Sequence, residues 1–289
     1  MFKKKKDQTY QSYWSISWNI FKKNKVAMVC LFIVILLCLI ALFAPLIAPY
    51  DPNKQVLTDR LMKPCGQHWF GTDDLGRDIF SRIIYGCRVS LSVSIISQII
   101  ATVIGYTMGV CAGYFGGKVD SVISFLIQVF SSFPFLLFAM AIMFVLGPGL
   151  INLYLALGLL GWASTARLIR GDVMRLKKME YIDACKVSGG NSFRIIMKHL
   201  LPNCLSTLIV TVTLGIPNAI MSEASLSFLG LGVKAPMASW GSMISFSQPY
   251  IRSATYYSVI PGLAIIITVL AFNMLGDGLR DALDPKLRS

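Results

Sequence analysis

Residues 26–50 read VAMVCLFIVILLCLIALFAPLIAPY and contain no charged side chain. Fifteen of these positions are Leu, Ile, Val or Phe, and each such residue favours membrane insertion by roughly 0.3–0.6 kcal/mol. A helix needs about 20 apolar residues to cross the hydrocarbon layer. The stretch is longer than the apolar core of a secretory signal peptide, and no A-x-A cleavage sequence follows it. The segment therefore predicts a membrane-spanning helix that is retained.

Four more uncharged stretches follow, at residues 89–117, 121–166, 204–222 and 253–276. The stretch 121–166 is long enough for two helices, and Gly147-Pro148-Gly149 is the natural break between them because Pro and Gly disfavour helix continuation. The chain is 55% hydrophobic and only 14% charged, where about 25% charged is usual for a soluble domain. These features predict an all-α membrane protein with six transmembrane helices.

The six spans divide the chain into two predicted parts. Residues 1–88 would hold an N-terminal cytoplasmic helix, the first span and an outward-facing loop. Residues 89–289 would form a five-helix core that includes a polar loop at residues 167–203. Within the outward-facing loop, the stretch Asp74–Arg88 is amphipathic and predicts a helix lying on the membrane interface, with Asp78 and Arg82 paired at i,i+4.

The distribution of basic residues predicts the orientation of the spans. Of the 27 Lys and Arg residues, 19 lie on the side that holds both termini, beginning with Lys3–Lys6, and eight lie on the other side. Because basic loops stay in the cytoplasm, both termini are predicted to be cytoplasmic in a multi-pass protein of a bacterial inner membrane. The net charge of +13 does not indicate a nucleic-acid partner, since apolar spans interrupt any continuous basic face.

The polar loop at residues 167–203 contains a helix–turn–helix pattern. A short helical segment from Glu180 stops at Gly189-Gly190, and Asn191 can cap a second helix that runs to Leu201-Pro202. Small side chains at Ala184 and Cys185 would let the surface of another protein approach closely. From the residues alone, a hairpin that docks on a soluble partner and a hairpin that binds nothing remain open.

The loop resembles the EAA loop of ATP-binding-cassette (ABC) importer permeases. Asp183-Ala184-Cys185 stands for the usual acidic-Ala-Ala trio, with Gly189 at the glycine position and Leu201-Pro202-Asn203 at the end. Cys185 replaces an alanine and Asp183 a glutamate. Three further segments resemble the oligopeptide, dipeptide and nickel branch of that family, namely GTDDLGRD at 71–78, EASLSFLGLG at 223–232 and GDGLRD at 276–281. The resemblance covers residues 27–288.

This resemblance implies a type I ABC importer permease fold and the role of a half-channel. The chain would form half of the pathway for peptides delivered by an extracellular binding protein, together with a second permease subunit, two ATPase subunits and the membrane lipid. ATP and Mg²⁺ would bind to the ATPases, and this chain would be a non-catalytic subunit without a cofactor or metal of its own. The resemblance places the coupling contact with an ATPase at Glu180, Asp183, Ala184, Cys185, Gly189, Leu201 and Pro202.

The sequence motifs agree with a non-catalytic subunit. The chain has no Walker A, HExxH or G-x-S-x-G sequence. A permease for nickel or a metal chelate is the alternative within the same family. A self-contained channel, or a membrane-bound enzyme with a polar catalytic group inside a span, is the alternative from another class.

The uncharged polar residues of the spans are the candidates for the lining of a pathway. They are Gln98 and Thr102 on the second span, Gln128 on the third, and Thr207, Thr211 and Asn218 on the fifth. Polar groups in hydrocarbon must face protein or water, so hydrogen bonding between helices is the other interpretation. Gly105, Gly109, Gly113 and Gly117 recur every four residues and predict close helix packing. Glu223, at the outer end of a span, is expected to brace the outer side.

Overall fold

The structure is a computed structural model that describes residues 13–283. Lys3–Lys6, Lys286 and Arg288, which contribute to the predicted orientation, lie outside the described residues. Within residues 13–283 the regular structure is α-helical, with short 3₁₀ and π turns. The helices are α1 (Tyr13–Lys23), α2 (Lys25–Leu42), α3 (Ala44–Ile47), α4 (Ile79–Phe115), α5 (Gly117–Ser132), α6 (Phe135–Leu146), α7 (Leu150–Leu176), α8 (Glu180–Val187), α9 (Ser192–Ile195), α10 (Leu201–Phe228), α11 (Trp240–Ser247) and α12 (Thr255–Leu283).

Four of these helical segments are long and apolar enough to cross a membrane. They are α2, α4, the segment Ser192–Phe228 that ends in α10, and α12. The pair α5 and α6 passes the same test together and brings the number to five. The fourth predicted span, the second half of the stretch 121–166, corresponds to α7, which is 27 residues long but carries Arg167, Arg170, Asp172 and Arg175 in its second half. Six spans are therefore not confirmed on length and composition alone.

The first span agrees with its prediction. Asn24 ends α1 and caps α2, because its Oδ1 accepts the backbone N–H of Ala27 at 3.1 Å. Phe21 is buried and lies beside Gly278 of α12. The N-terminal helix is thus held against the last helix of the chain at the point where the first span begins.

The region 117–176 has two breaks. The sequence predicts the break at Gly147-Pro148-Gly149, and it predicts a helix kink at Pro134, as it does at Pro217. α6 ends at Leu146 and α7 begins at Leu150, so the break at Gly147-Pro148-Gly149 is confirmed. A second break separates α5 from α6 at Phe133-Pro134, where the chain bends by 89°. Proline cannot donate an intrahelical hydrogen bond, and it favours an extended conformation in the residue before it. Phe133 adopts that conformation, with φ −91° and ψ 138°.

The predicted interfacial helix at Asp74–Arg88 is wrong. Its second half belongs to α4, which begins at Ile79 and runs 37 residues without interruption. Asp78 is the N-cap, and its Oδ2 accepts the backbone N–H of Ser81 at 2.7 Å. The second span thus begins ten residues before the uncharged stretch at Val89, and the predicted limit between residues 88 and 89 lies inside this helix.

A buried arginine explains why α4 begins inside a charged stretch of the sequence and not at the end of that stretch. Arg82 is fully buried, and its Nη1 donates to the carbonyl of Pro52 at 2.9 Å. Its Nε lies 3.4 Å from Oδ2 of Asp73, whereas no ion pair within residues 13–283 joins it to Asp78, the predicted partner. The positive charge of Arg82 is matched by Asp73 in the loop between α3 and α4, so this arginine can lie buried inside α4.

The glycine row packs α4 against α7. A Cβ atom built on Gly109 would lie 2.7 Å from the carbonyl oxygen of Ala166, and one on Gly113 would lie 2.9 Å from that of Arg170. Gly105 is equally close to Trp162. Gly117 does not belong to this interface, because no atom lies within 4 Å of its Cβ position and it starts α5 with φ +53°. The packing prediction is confirmed for three of the four glycines.

Candidate functional site

A long groove runs between α4, the bent pair α5–α6, α7 and α10, and reaches the end of α12. Its volume is about 1470 Å³. Leu and Phe side chains and uncharged polar side chains both line it, and among the described residues no Asp, Glu, His or Cys does. Four of the six predicted pathway residues line it, namely Gln98, Thr207, Thr211 and Asn218.

The other two predicted residues are not part of the groove lining. Thr102 lies one turn along α4, where its Oγ1 accepts a hydrogen bond from Nε2 of Gln98 at 3.3 Å. Gln128 is exposed on α5 and is absent from the lining. The Gln98 amide itself packs against Gly215 of α10, where a Cβ atom would come within 2.6 Å of Nε2. This close approach holds the amide at the wall.

The polar residues of α10 also make hydrogen bonds within the protein. Thr207 Oγ1 donates to Oδ2 of Asp172 at 2.6 Å and so joins α10 to α7. Thr211 Oγ1 donates to the carbonyl of Thr207 at 2.7 Å, one turn earlier. The groove wall therefore presents hydroxyl groups whose protons are already bonded and whose oxygens retain capacity to accept.

Sequence reasoning missed the two basic residues of the groove. Arg175 and Arg280 both line it, and Arg175 also pairs with Asp172 at 3.3 Å. Arg280 lies within the C-terminal motif at 276–281, but no local signal places the end of α12 next to α7. Phe133 and Phe135 were missed as well, although the proline between them marks the bend that exposes them.

The predicted coupling loop begins with α8 and reverses at a glycine. The N–H of Gly190 donates to the carbonyl of Cys185 at 2.9 Å, and the N–H of Gly189 donates to that of Lys186 at 3.0 Å. These two bonds form a Schellman motif, whose C′ residue adopts a left-handed conformation. Gly189 is that residue, with φ +79°. Glu180 and Asp183 occupy the first turn of α8, where the helix dipole favours negative charge.

The second half of the loop differs from its prediction. Asn191 caps α9 as expected, with its Oδ1 accepting the N–H of Arg194 at 2.8 Å. The helix does not end at Leu201-Pro202, because a π turn at Ile196–Leu200 leads directly into α10. Proline is tolerated there since it occupies the first turn of α10. The loop is therefore continuous with the wall of the groove.

One side of the coupling loop is packed and the other is open. Ile182, Ile195 and Leu200 are buried in a cluster formed with α4 and α7. The opposite side exposes Val187 at 90% and Phe193 at 72% of their surface, while Ala184 is also exposed. The hairpin is held firmly against the membrane helices and presents an apolar surface away from them.

A metal site was not predicted, and the described residues contain no group of three or more His, Cys, Asp or Glu side chains arranged to hold a metal ion.

Residues 101–289 match the family described as the binding-protein-dependent transport system inner membrane component. Residues 12–64 match the N-terminal transmembrane domain of oligopeptide transport permease C. The chain belongs to the inner-membrane permease family of binding-protein-dependent transporters. The family consists of transport permeases, and the chain is accordingly a multi-pass membrane subunit of a transporter.

Several curated permeases are similar over almost the whole chain. The dipeptide transport system permease protein DppC of Bacillus subtilis is 46% identical, over 96% of this chain and 87% of its own length. The oligopeptide transport system permease protein OppC of the same organism is 42% identical, over 96% and 91%. The glutathione transport system permease protein GsiD of Pectobacterium atrosepticum is 41% identical, over 98% and 95%.

The fold is also similar to a solved permease. A structure of the MetNI methionine ABC transporter in an inward-facing conformation superposes with a TM-score of 0.58 at 19% identity. The match covers 71% of this chain and 98% of the solved chain. At that identity the likeness shows the shared fold of a type I ABC importer permease.

Proposed function

We propose that this permease is a subunit of an ABC importer that takes up peptides, and that it forms half of their translocation pathway. An extracellular binding protein would deliver the peptides, as the resemblance to peptide permeases implies. The observation that carries the proposal is the groove between α4, α7 and α10, whose described lining is apolar and uncharged polar apart from Arg175 and Arg280. The names of the relatives, which refer to dipeptides, oligopeptides and glutathione, support the substrate class.

The groove chemistry fits a peptide in transit. Amide and hydroxyl groups such as those of Gln98 and Asn218 can exchange weak hydrogen bonds with peptide backbones of any sequence, and the apolar stretches tolerate varied side chains. Most of the described lining is uncharged, and Arg175 is paired with Asp172, so a peptide would bind weakly along most of the groove, which allows release. The lining offers bare Ni²⁺ none of the imidazole, thiolate or carboxylate ligands that hold such ions, so peptide is favoured over free nickel.

We further propose that α7 also spans the membrane, which brings the number of spans to six, and that both termini are cytoplasmic. Residues 150–166 of α7 are uncharged, and its glycine-mediated contact with α4 places it inside the helix bundle. Its charged residues are partly matched, since Nη2 of Arg170 donates to Oδ2 of Asp120 on α5 at 2.7 Å. A helix packed in this way can span the membrane although it is not apolar enough to be identified as a span from its composition alone.

The coupling loop is proposed to contact an ATPase subunit. Val187 and Phe193 form an apolar surface on a hairpin whose other side is anchored, and small Ala184 lets a partner approach. Closure of two ATPases around ATP and Mg²⁺ would move the hairpin and, through the π turn, the helix α10 that walls the groove. A second permease subunit would cover the open side of the groove.

Cysteine accessibility tests the pathway. In a variant without native cysteines, Thr211→Cys places a thiol in the groove, whereas Thr213→Cys places one on the α12 side of the same helix, since Thr213 lies beside Gly276. We expect a small polar maleimide to modify position 211 about tenfold faster than position 213, and the rate at 211 to change when ATP is trapped on the assembled importer. Equal protection of both positions in every nucleotide state would contradict the proposed pathway.

Peptide uptake by vesicles that contain the assembled importer tests the substrate class. We expect uptake to require ATP and the peptide-loaded binding protein. Uptake of a nickel chelate in place of peptide would favour the alternative within the family.

A further inference from the structure

Glu223 is a buried acid inside α10. Its side chain is fully buried, and it lies near the end of the helix that is remote from the coupling loop. Oε1 accepts a hydrogen bond from Ser227 at 2.6 Å, and Oε2 accepts one from Ser90 of α4 at 3.2 Å. Within residues 13–283, no Lys, Arg or His side chain forms an ion pair with it.

Both serines are also contacted by the segment that follows α10. We name residues 229–254, which include α11, the outer lobe. The backbone N–H of Trp240 donates to Ser90 Oγ at 3.3 Å, and Ser239 Oγ donates to Ser227 Oγ at 3.4 Å. Ser239 is itself the N-cap of α11, where it forms a capping box with Ser242. The carboxyl group of Glu223 is therefore the centre of a network that joins α4, α10 and the start of α11.

The packing around this network is tight. Trp240 is 1% exposed, and its Nε1 donates to the carbonyl of Ile83 on α4 at 3.1 Å. A Cβ atom on Gly241 would lie 2.9 Å from the carbonyl of Ala224 on α10. The outer lobe thus lies directly on both helices and cannot shift without breaking these contacts.

The opposite side of α10 faces the groove. Ser222, which precedes Glu223, and Ser225, two residues after it, line the groove. A displacement of α10 that opens the groove would act on the Glu223 network through the same turn of helix. The outer lobe and the groove wall are therefore mechanically connected at Glu223.

We propose that Glu223 is a positioning residue that acts as an uncharged carboxylic acid and fastens the outer lobe to α4 and α10. An unpaired carboxylate is strongly disfavoured in a buried site, whereas a carboxylic acid keeps both contacts because a serine hydroxyl donates or accepts. Resting on the proposed function, this network makes the outer lobe and the groove wall move as one unit when the peptide-loaded binding protein engages.

Two substitutions separate this role from a general loss of stability. Glu223→Met keeps the length of the side chain and removes both hydrogen bonds, whereas Glu223→Gln keeps the hydrogen bonds and removes the ionisable group. The assembled importer is reconstituted in vesicles, and ATP hydrolysis is measured against the concentration of peptide-loaded binding protein. We expect Glu223→Met to raise the half-saturating concentration roughly tenfold, with unchanged hydrolysis in the absence of binding protein, and Glu223→Gln to stay within about twofold of the parent. If Glu223→Met does not assemble, Ser90→Ala serves in its place because it removes one of the two hydrogen bonds. We expect Ser90→Ala to raise the half-saturating concentration of peptide-loaded binding protein about threefold.

Three results would overturn the inference. An unchanged half-saturating concentration in Glu223→Met and Ser90→Ala would show that the network positions nothing. A loss of basal and stimulated hydrolysis in equal proportion would show a structural role only. A rise in Glu223→Gln as large as that in Glu223→Met would show that the charge is required. Failure of the parent importer to respond to its binding protein at all would instead overturn the proposed function, and this inference with it.

Discussion

Gly189 combines a left-handed backbone with open space around its Cα. Its φ is +79°, and no atom lies within 4 Å of a Cβ position. A Gly189→Val substitution therefore meets no steric contact with neighbours, but it strains the reversal between α8 and α9 by about 1–2 kcal/mol. We expect normal amounts of inserted protein and a fall in ATP-driven peptide uptake of about fivefold or more, because this strain corresponds to roughly a five- to thirtyfold shift in a conformational equilibrium.

Two control substitutions make the test at Gly189 specific. Gly171 lies in α7 and also has open space at its Cβ position, but it lacks a positive φ. Gly171→Val should therefore leave uptake unchanged. Gly189→Asn should be milder than Gly189→Val, since asparagine tolerates the left-handed region. Normal uptake by Gly189→Val would show that this turn is not the coupling element.

For single residues, turns and helix caps could be predicted from the sequence because they depend on neighbouring residues. Which residues line the groove could not be predicted, because it depends on how each helix is rotated. The glycine reversal and the cap at Asn191 depend on a few consecutive residues, and both are found where the pattern indicates. The difference between Thr211, which lines the groove, and Gln128, which does not, depends on how each helix is turned in the bundle. Hydropathy does not specify how a helix is rotated when the residues compared are all uncharged. Only the three-dimensional structure therefore shows which of these polar residues line the groove.

At the level of helices, the contact between α4 and α7 depends on the absence of side chains at one row of positions. At Gly109 a Cβ atom would lie 2.9 Å from that of Ile169. We expect Gly109→Val to destabilise the purified protein by about 1–3 kcal/mol, the usual cost of overpacking. The measurement is the midpoint of thermal unfolding in detergent, which should fall.

Gly262 of α12 provides the matched control for this substitution. It lies in a helix like Gly109, but no atom lies within 4 Å of its Cβ position. Gly262→Val should leave the unfolding midpoint unchanged or raise it, because valine is a better helix former than glycine. Equal midpoints for the two variants would show that the row does not form a tight interface.

The two prolines of the spans show the limits of prediction at this scale. Both Pro134 and Pro217 interrupt apolar stretches, and sequence alone predicts a kink at each. The chain breaks and bends at Pro134, whereas α10 continues through Pro217 for 28 residues in all. Pro217 is buried in the bundle, where neighbouring helices support the helix around it. Local propensity is the same in the two cases, and tertiary packing decides between them.

Across the whole molecule, contacts fix which polar segments share an end of the bundle. Nη2 of Arg60 donates to the hydroxyl of Tyr250 at 2.9 Å, so the loop after the first span and the outer lobe lie at one end. The hydroxyl of Tyr114, at the far end of α4, donates to Ser192 of the coupling loop at 3.3 Å. The sequence predicted the same grouping from hydropathy, because alternating spans must place alternate loops together. The distribution of charge is then needed only to predict which end of the bundle faces the cytoplasm.

Labelling of introduced cysteines determines that orientation. Cysteines are introduced at the exposed Lys234 in the outer lobe and at the exposed Lys54 in the loop after α3. In intact cells, a maleimide that cannot cross the membrane should label both positions, and it should label the exposed Lys178 only after permeabilisation. The physical reason is the concentration of basic residues around the coupling loop, which favours the cytoplasm.

Labelling of position 178 alone in intact cells would show that the orientation is the reverse of the predicted one. The coupling loop would then lie outside the cell, where it could not contact an ATPase that binds cytoplasmic ATP. Labelling of Lys54 and Lys178 together in intact cells would contradict the arrangement of the helices itself, since the hydrogen bonds of Arg60 and Tyr114 place these two segments at opposite ends of α4.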